Sequence, residues 1–268
     1  MRRREGTTVS HLTSRFRPTH PQQPPTTATL AYTEPTTLQL RDGELVLYRR
    51  TRQYGDLFAL NGYANLEPRL YVDAMAPRTN KKDLASLYAA LAHLSKQPEI
   101  DQNRIYAIGM SAGAMLTILA KTKMADNSFY RSGTNFRALA SLYPVCWLFD
   151  ATIEGKPPKV FSDFNVTDMK NWQATPIRLF IPEFDDYDDR DTKTCENFIA
   201  RIPSEQARSS FSIKLHPGAT HGWDHGVTYS FETAAGCKGK GCVNTNKSNA
   251  SVTQQGYKDV LEFFSSNQ

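Results

Sequence analysis

Gly109-Met110-Ser111-Ala112-Gly113 sets a serine between two glycines, after an apolar run and before a stretch able to form a helix. In a sharp strand-to-helix turn the glycines avoid clashes and the serine hydroxyl is held above the turn, open to an electrophile. A serine hydroxyl is a poor nucleophile near neutral pH, so such chemistry needs a histidine base and an acid that fixes the base's tautomer. Both types occur downstream, His221 in Pro217-Gly-Ala-Thr-His-Gly-Trp-Asp224 and Asp185 in Pro182-Glu-Phe-Asp-Asp-Tyr187. Asp186 adjoins Asp185 and is the second choice for the acid. The N–H of Ala112, at the start of the helix, is placed to donate to an oxyanion.

Each feature alone has a plainer explanation. The glycine-flanked serine can be a simple tight connection, His221 a surface or hydrogen-bonded histidine, and the acidic run from Asp185 to Asp191 a solvated loop. The order Ser, Asp, His decides between them, because each residue lies just beyond the end of an apolar run that reads as a strand. His216 and His225 rank below His221, the first at the end of a strand and the second four residues farther along.

The elements that must position these residues alternate. Asp56 to Asn61 reads as a short helix stopped by Gly62, Arg69 to Asp73 as a buried strand, and Asp83 to Gln97 as an amphipathic helix with Leu84, Leu87, Leu91 and Leu94 on one face. Strands are expected at Arg104 to Ile108, Phe136 to Tyr143, Pro176 to Ile181 and Ser210 to Leu215, with helices at Ala112 to Lys123, Thr194 to Ile202 and Gln254 to Ser265. Phe149 to Ala174 reads as loop, and Gly236 to Asn249 as a surface loop inserted before the last helix. Such alternation calls for an α/β fold, a mostly parallel, doubly wound sheet flanked by helices, with ligands at the carboxyl ends of its strands.

At 268 residues with 40% hydrophobic and 22% charged content, the chain can bury one full-sized core, which excludes a disordered protein. Between Pro18 and Thr37 prolines and threonines dominate, so residues 1–37 read as a mobile leader and residues 38–268 as the folded domain, opening with a hairpin around Asp42-Gly43. Four of the five net positive charges fall in the first twenty residues, which makes the basic character a property of the tail and argues against a nucleic-acid partner. No window is long and apolar enough to span a membrane, and Met1-Arg2-Arg3-Arg4 is not followed by a signal-peptide run, so a cytoplasmic location is expected. Cys146, Cys195, Cys237 and Cys242 are too few for a disulfide scaffold and lack zinc-site spacing; pairing of 146 with 195 and of 237 with 242 would suit an oxidising space.

Several blocks together resemble the dienelactone hydrolase family of the α/β-hydrolase superfamily. Arg104-Ile-Tyr-Ala-Ile-Gly-Met-Ser-Ala-Gly113 is similar to that family's strand and elbow, Ala140-Ser-Leu-Tyr-Pro-Val-Cys146 to its strand ending in Tyr-Pro-x-Cys, and Leu215 to Asp224 to its histidine loop. Asn61-Gly-Tyr63, and Val72-Asp73 through Pro77-Arg78, resemble its helix end and following strand. The resemblance implies Ser111 as nucleophile, Asp185 as acid and His221 as base, acting on a small-molecule ester with no metal or organic cofactor. The best-known members carry cysteine where this chain has Ser111, so a general serine esterase is the expectation. Arg78 lies one residue out of step with an arginine that binds substrate carboxylate in some members. The strand and His-Gly-type turn that normally precede the Gly-Tyr helix and supply a second oxyanion N–H are not evident, so the N-terminal part reads as shortened. That gap keeps a second reading open, a hydrolase-like binding or structural module with impaired catalysis. Trp172, Phe184 and Trp223 are candidates for an aromatic pocket.

Overall fold

The computed structural model describes residues 26–33, 49–67, 80–122, 135–161, 167 and 171–268. In chain order these form β1 (Thr26–Thr33), α1 (Arg49–Leu60), β2 (Tyr63–Leu66), α2 (Asn80–Leu94), β3 (Ile100–Met110), α3 (Ala112–Leu119) and β4 (Leu139–Leu142). They continue with α4 (Cys146–Ile153), β5 (Ile177–Phe184), α5 (Thr194–Ala200), α6 (Glu205–Ser209), β6 (Phe211–Thr220), β7 (Tyr229–Thr233), β8 (Cys242–Asn246) and α7 (Ala250–Ser265). The first six strands make one sheet in the order β2-β1-β3-β4-β5-β6, parallel throughout, while β7 and β8 form a separate antiparallel pair.

The sheet is covered on both faces because its central strands are apolar on both sides. Along β3, Ile105 and Ala107 face one core while Tyr106, Ile108 and Met110 face the other, the period of two that a pleated strand imposes. Leu139 and Ala140 of β4, and Leu179 and Phe180 of β5, divide in the same way. On the first face Leu84, Leu87, Leu91 and Leu94 of α2 are buried beside α3, α4 and α5. On the second, Tyr54 and Phe58 of α1 pack with Tyr257, Val260, Phe263 and Phe264 of α7. Each such side chain contributes about 1.5–3 kcal/mol when fully buried.

Several expectations change. β1 lies inside the segment read as a leader, so the sheet begins by Thr26, and a boundary at residue 38 is too late. The eight residues Thr-Thr-Ala-Thr-Leu-Ala-Tyr-Thr contain no proline and four β-branched threonines, a composition that suits a strand once neighbours bury it. β1 sits between β2 and β3, and it is the strand that the sequence did not reveal ahead of the Gly-Tyr helix end. The hairpin around Asp42-Gly43 and the strand from Arg69 to Asp73 lie outside the described residues. Phe149, read as the start of a loop, lies instead in helix α4. Within Gly236 to Asn249 lies a strand, β8, that pairs with β7.

Two disulfides, Cys146 with Cys195 and Cys237 with Cys242, leave no described cysteine free. The first ties α4 to α5 and the second closes the β7–β8 connection. Thiol titration of the unreduced, denatured protein is expected to give no reactive thiol, and four after reduction. A count of two or more before reduction would contradict the pairing.

Candidate active site

β3 ends at Met110 and α3 begins at Ala112, so Ser111 makes the whole turn at φ 54° and ψ −116°. A serine pays a strain of about 1–3 kcal/mol in this region. The neighbours hold it there: Ser111 N–H donates to the Leu142 carbonyl at 3.0 Å, and the Ser111 carbonyl accepts from Met115 N–H at 3.1 Å. The helix also crosses so close to the strand that a Cβ on Gly109 would lie 2.1 Å from the Gly113 carbonyl oxygen. Only glycine fits at 109. Ala112, as the first residue of α3, has an N–H with no carbonyl four residues earlier within the helix to receive it.

The structure brings the three sequence-expected side chains together. His221 Nε2 lies 2.9 Å from Ser111 Oγ, and His221 Nδ1 lies 2.9 Å from Asp185 Oδ2. His221 follows β6 and Asp185 follows β5, both at the carboxyl edge of the sheet. Asp185 and His221 are 4% and 3% exposed, which strengthens their interaction relative to water. The imidazole sits between two rings, Tyr143 with centroids 4.9 Å apart and Tyr187 at 4.5 Å. A second Asp185 oxygen, Oδ1, accepts from Tyr187 N–H at 3.0 Å.

Three acids within four positions have separate partners. Asp186 points away from the imidazole: its Oδ1 accepts from Arg190 Nε at 2.8 Å and its Oδ2 from Thr245 N–H at 2.9 Å. Geometry therefore selects Asp185 as the partner of His221. Asp188 accepts from the N–H groups of Cys146 and Trp147, at 3.0 and 2.9 Å, at the start of α4. Burial, and then the charge of Asp185, push the Asp188 carboxyl up to about 8, against these two N–H groups that favour the ion.

The competing histidines have other surroundings. His216 stacks on Trp223 with centroids 4.9 Å apart and lies 3.7 Å from Asp259, and burial lowers its pKa. His225 Nδ1 is 2.8 Å from the Tyr229 hydroxyl. Of the aromatic candidates, Trp172 and Trp223 are buried core residues, while Phe184 at the end of β5 is 43% exposed. Sequence reasoning missed Tyr143, Tyr187 and Asp188. Tyr143 carries one signal, its place directly before Pro144 at a strand's end, where the structure gives it φ 40°. Asp188 has none, being one acid in an acidic run.

Among the described residues, Cys146, Asp188 and Cys195 bring ligand-type atoms within 4.8 Å of one another. The two sulfurs are joined to each other, so they are not available as thiolate ligands. Among the described residues, no helix is long and apolar enough to cross a membrane.

Comparison with protein-family models finds no match, and comparison with curated proteins finds none. Solved structures do match. Est1E from Butyrivibrio proteoclasticus is 16% identical with a TM-score of 0.53, covering 89% of this chain and 89% of its own. Thermogutta terrifontis esterase 2 phosphoramylated by tabun is 14% identical with a TM-score of 0.56, covering 89% of this chain and 82% of its own. The Pyrococcus furiosus esterase Pf2001 is 16% identical with a TM-score of 0.50, covering 73% and 74%.

Gly109→Ala is expected to destabilise the fold by about 3 kcal/mol or more, since the new methyl meets backbone and not a movable side chain. Urea unfolding measures this, and a loss under about 1 kcal/mol would show that the turn has room to relax. With the parallel sheet, the covering helices on both faces and the serine turn at its carboxyl edge, the chain has the α/β-hydrolase fold.

Proposed function

We propose that this chain is a carboxylic-ester hydrolase that works through an acyl-enzyme on Ser111. The observation that carries the proposal is the unbroken line from Asp185 through His221 to Ser111, with both contacts at 2.9 Å. In the first half-reaction Ser111 Oγ attacks the acyl carbon while His221 Nε2 accepts its proton. The proton then passes to the leaving alcohol as the ester bond breaks. In the second half, His221 removes a proton from water, which attacks the acyl-serine and releases the acid and Ser111. Asp185 holds Nδ1–H so that Nε2 faces the serine, and it stabilises the imidazolium that forms. Ala112 N–H stabilises the developing oxyanion, supported by the positive end of α3.

The solved structures with this fold described as esterases support the reading, including the one phosphoramylated by tabun. β1 supports this reading over that of an impaired scaffold. Thr33 pairs with Met110, so a strand ends beside the nucleophile turn where a second oxyanion donor would be sought. The family-level proposal is a serine variant of the dienelactone hydrolase type, supported by the Tyr143-Pro144-Val145-Cys146 segment next to His221. The substrate we propose is a small ester, with no metal or organic cofactor. Two disulfides favour work in an oxidising compartment over the cytoplasm expected from the sequence.

Ser111→Ala is expected to abolish turnover of a short p-nitrophenyl ester, and Asp185→Asn to lower kcat by roughly 10³- to 10⁴-fold. A fluorophosphonate probe should label Ser111, located by peptide mass. A folded wild-type protein that neither turns over such esters nor takes the label would leave the non-catalytic reading in possession.

A further inference from the structure

The β7–β8 hairpin lies between the histidine loop and α7 in the chain, and it bonds to both loops that carry the acid and the base. On the acid side, Thr245 N–H donates to Asp186 Oδ2 at 2.9 Å and Cys237 N–H donates to the Asp186 carbonyl at 2.7 Å. Lys238 N–H donates to the Tyr187 carbonyl at 2.9 Å. These bonds hold the two residues that follow Asp185. On the base side, Lys247 N–H donates to Thr220 Oγ1 at 2.7 Å, fixing the residue before His221. Asn246 Nδ2 donates to the Tyr229 hydroxyl at 2.8 Å, which is 2.8 Å from His225 Nδ1. The His225 ring lies over Gly222, the residue after His221, so closely that a Cβ there would be 2.7 Å from His225 Nε2.

Thr245 therefore bonds the acid loop and Lys247 the base loop, while Asn246 between them reaches the base side through the Tyr229 hydroxyl and His225. Asn246 is 2% exposed, and its Oδ1 also accepts from Asn244 Nδ2 at 2.7 Å, so its side chain is fixed at both ends. The opposite end of the hairpin is seated as well: the Gly236–Gly239 turn rests on Trp147, whose Nε1 donates to the Ala235 carbonyl at 3.2 Å. We infer that this hairpin is a positioning brace that sets the Asp185–His221 hydrogen bond. The inference rests on the proposed acyl-transfer role of that pair. None of the brace residues touches the serine. They act through the two loops, and an error of a fraction of an ångström in loop spacing is transmitted directly to the imidazole.

The test compares Asn246→Ala and Asp186→Ala with two controls. Asp186→Asn keeps an oxygen for Thr245 N–H, and Val243→Ala alters an exposed side chain of the same strand. With p-nitrophenyl acetate, the first pair should lose about 10- to 100-fold in kcat with KM within about twofold, and the controls should stay near wild type. The downfield proton resonance of His221 Nδ1–H, read by NMR without substrate, should broaden or vanish in the first pair and persist in the controls. If either alanine variant fails to fold by circular dichroism, Thr220→Val removes the acceptor of Lys247 with little change of shape and takes its place. Wild-type kcat and an unchanged resonance in the folded variants would overturn the brace. Because the resonance needs no turnover, an inactive wild type whose resonance is lost in the variants would sink the esterase reading and leave the brace standing.

Discussion

The tightest glycine site among the described residues is the crossing of α3 over the end of β3, where the Gly113 carbonyl leaves no room for a side chain on Gly109. That approach forces a one-residue turn, and the one residue is Ser111. Everything else in the candidate site is arranged around it. β4 and β5 lie successively beside β3, and their carboxyl ends deliver Tyr143 and Asp185, while β6, beside β5, delivers His221. A parallel sheet makes such convergence possible because all its carboxyl ends share one edge. The strain at Ser111 persists because the strand before it and the helix after it are buried and cannot shift.

Electrostatics then separates residues that look alike. Asp185, Asp186 and Asp188 are all nearly buried, yet one faces an imidazole, one an arginine and a backbone amide, and one the first amides of a helix. Only the first has a partner that can exchange a proton with a serine. The other two bind their loop to Arg190, the hairpin and α4, so the acid loop is fixed along its length. Asp188, with its carboxyl pushed up to about 8, resists adding a second full charge beside Asp185.

Much of this was legible in the sequence, and the reasons differ by residue. The glycine-flanked serine was readable because steric need leaves a composition trace, and the leucines of α2 because a helical face has a period. The order of serine, acid and histidine was readable because each directly follows an apolar run. Asp185 and Asp186 could not be separated, since adjacent residues leave a strand in opposite directions and the sequence does not say which direction faces the histidine. β1 was hidden because its strand character comes from pairing between β2 and β3 and not from hydrophobicity of its own. The hairpin was hidden because Asn244 and Asn246 are satisfied within it, by each other and by Tyr229, while its seat on the distant loops is made by the backbone amides of Thr245 and Lys247.

β1 lies between β2 and β3, and among the described residues β2 is bonded to the sheet only through it. A chain shortened to begin at Leu38, which the composition alone would recommend, deletes an interior strand and sets β2 adrift. The flank of β3 would then be bare, a row of unpaired amides on an apolar strand, and such an edge recruits a second molecule. Insolubility of a trimmed variant would thus reflect a sheet broken beside its outer strand, and its cure is to restore the threonine-rich segment.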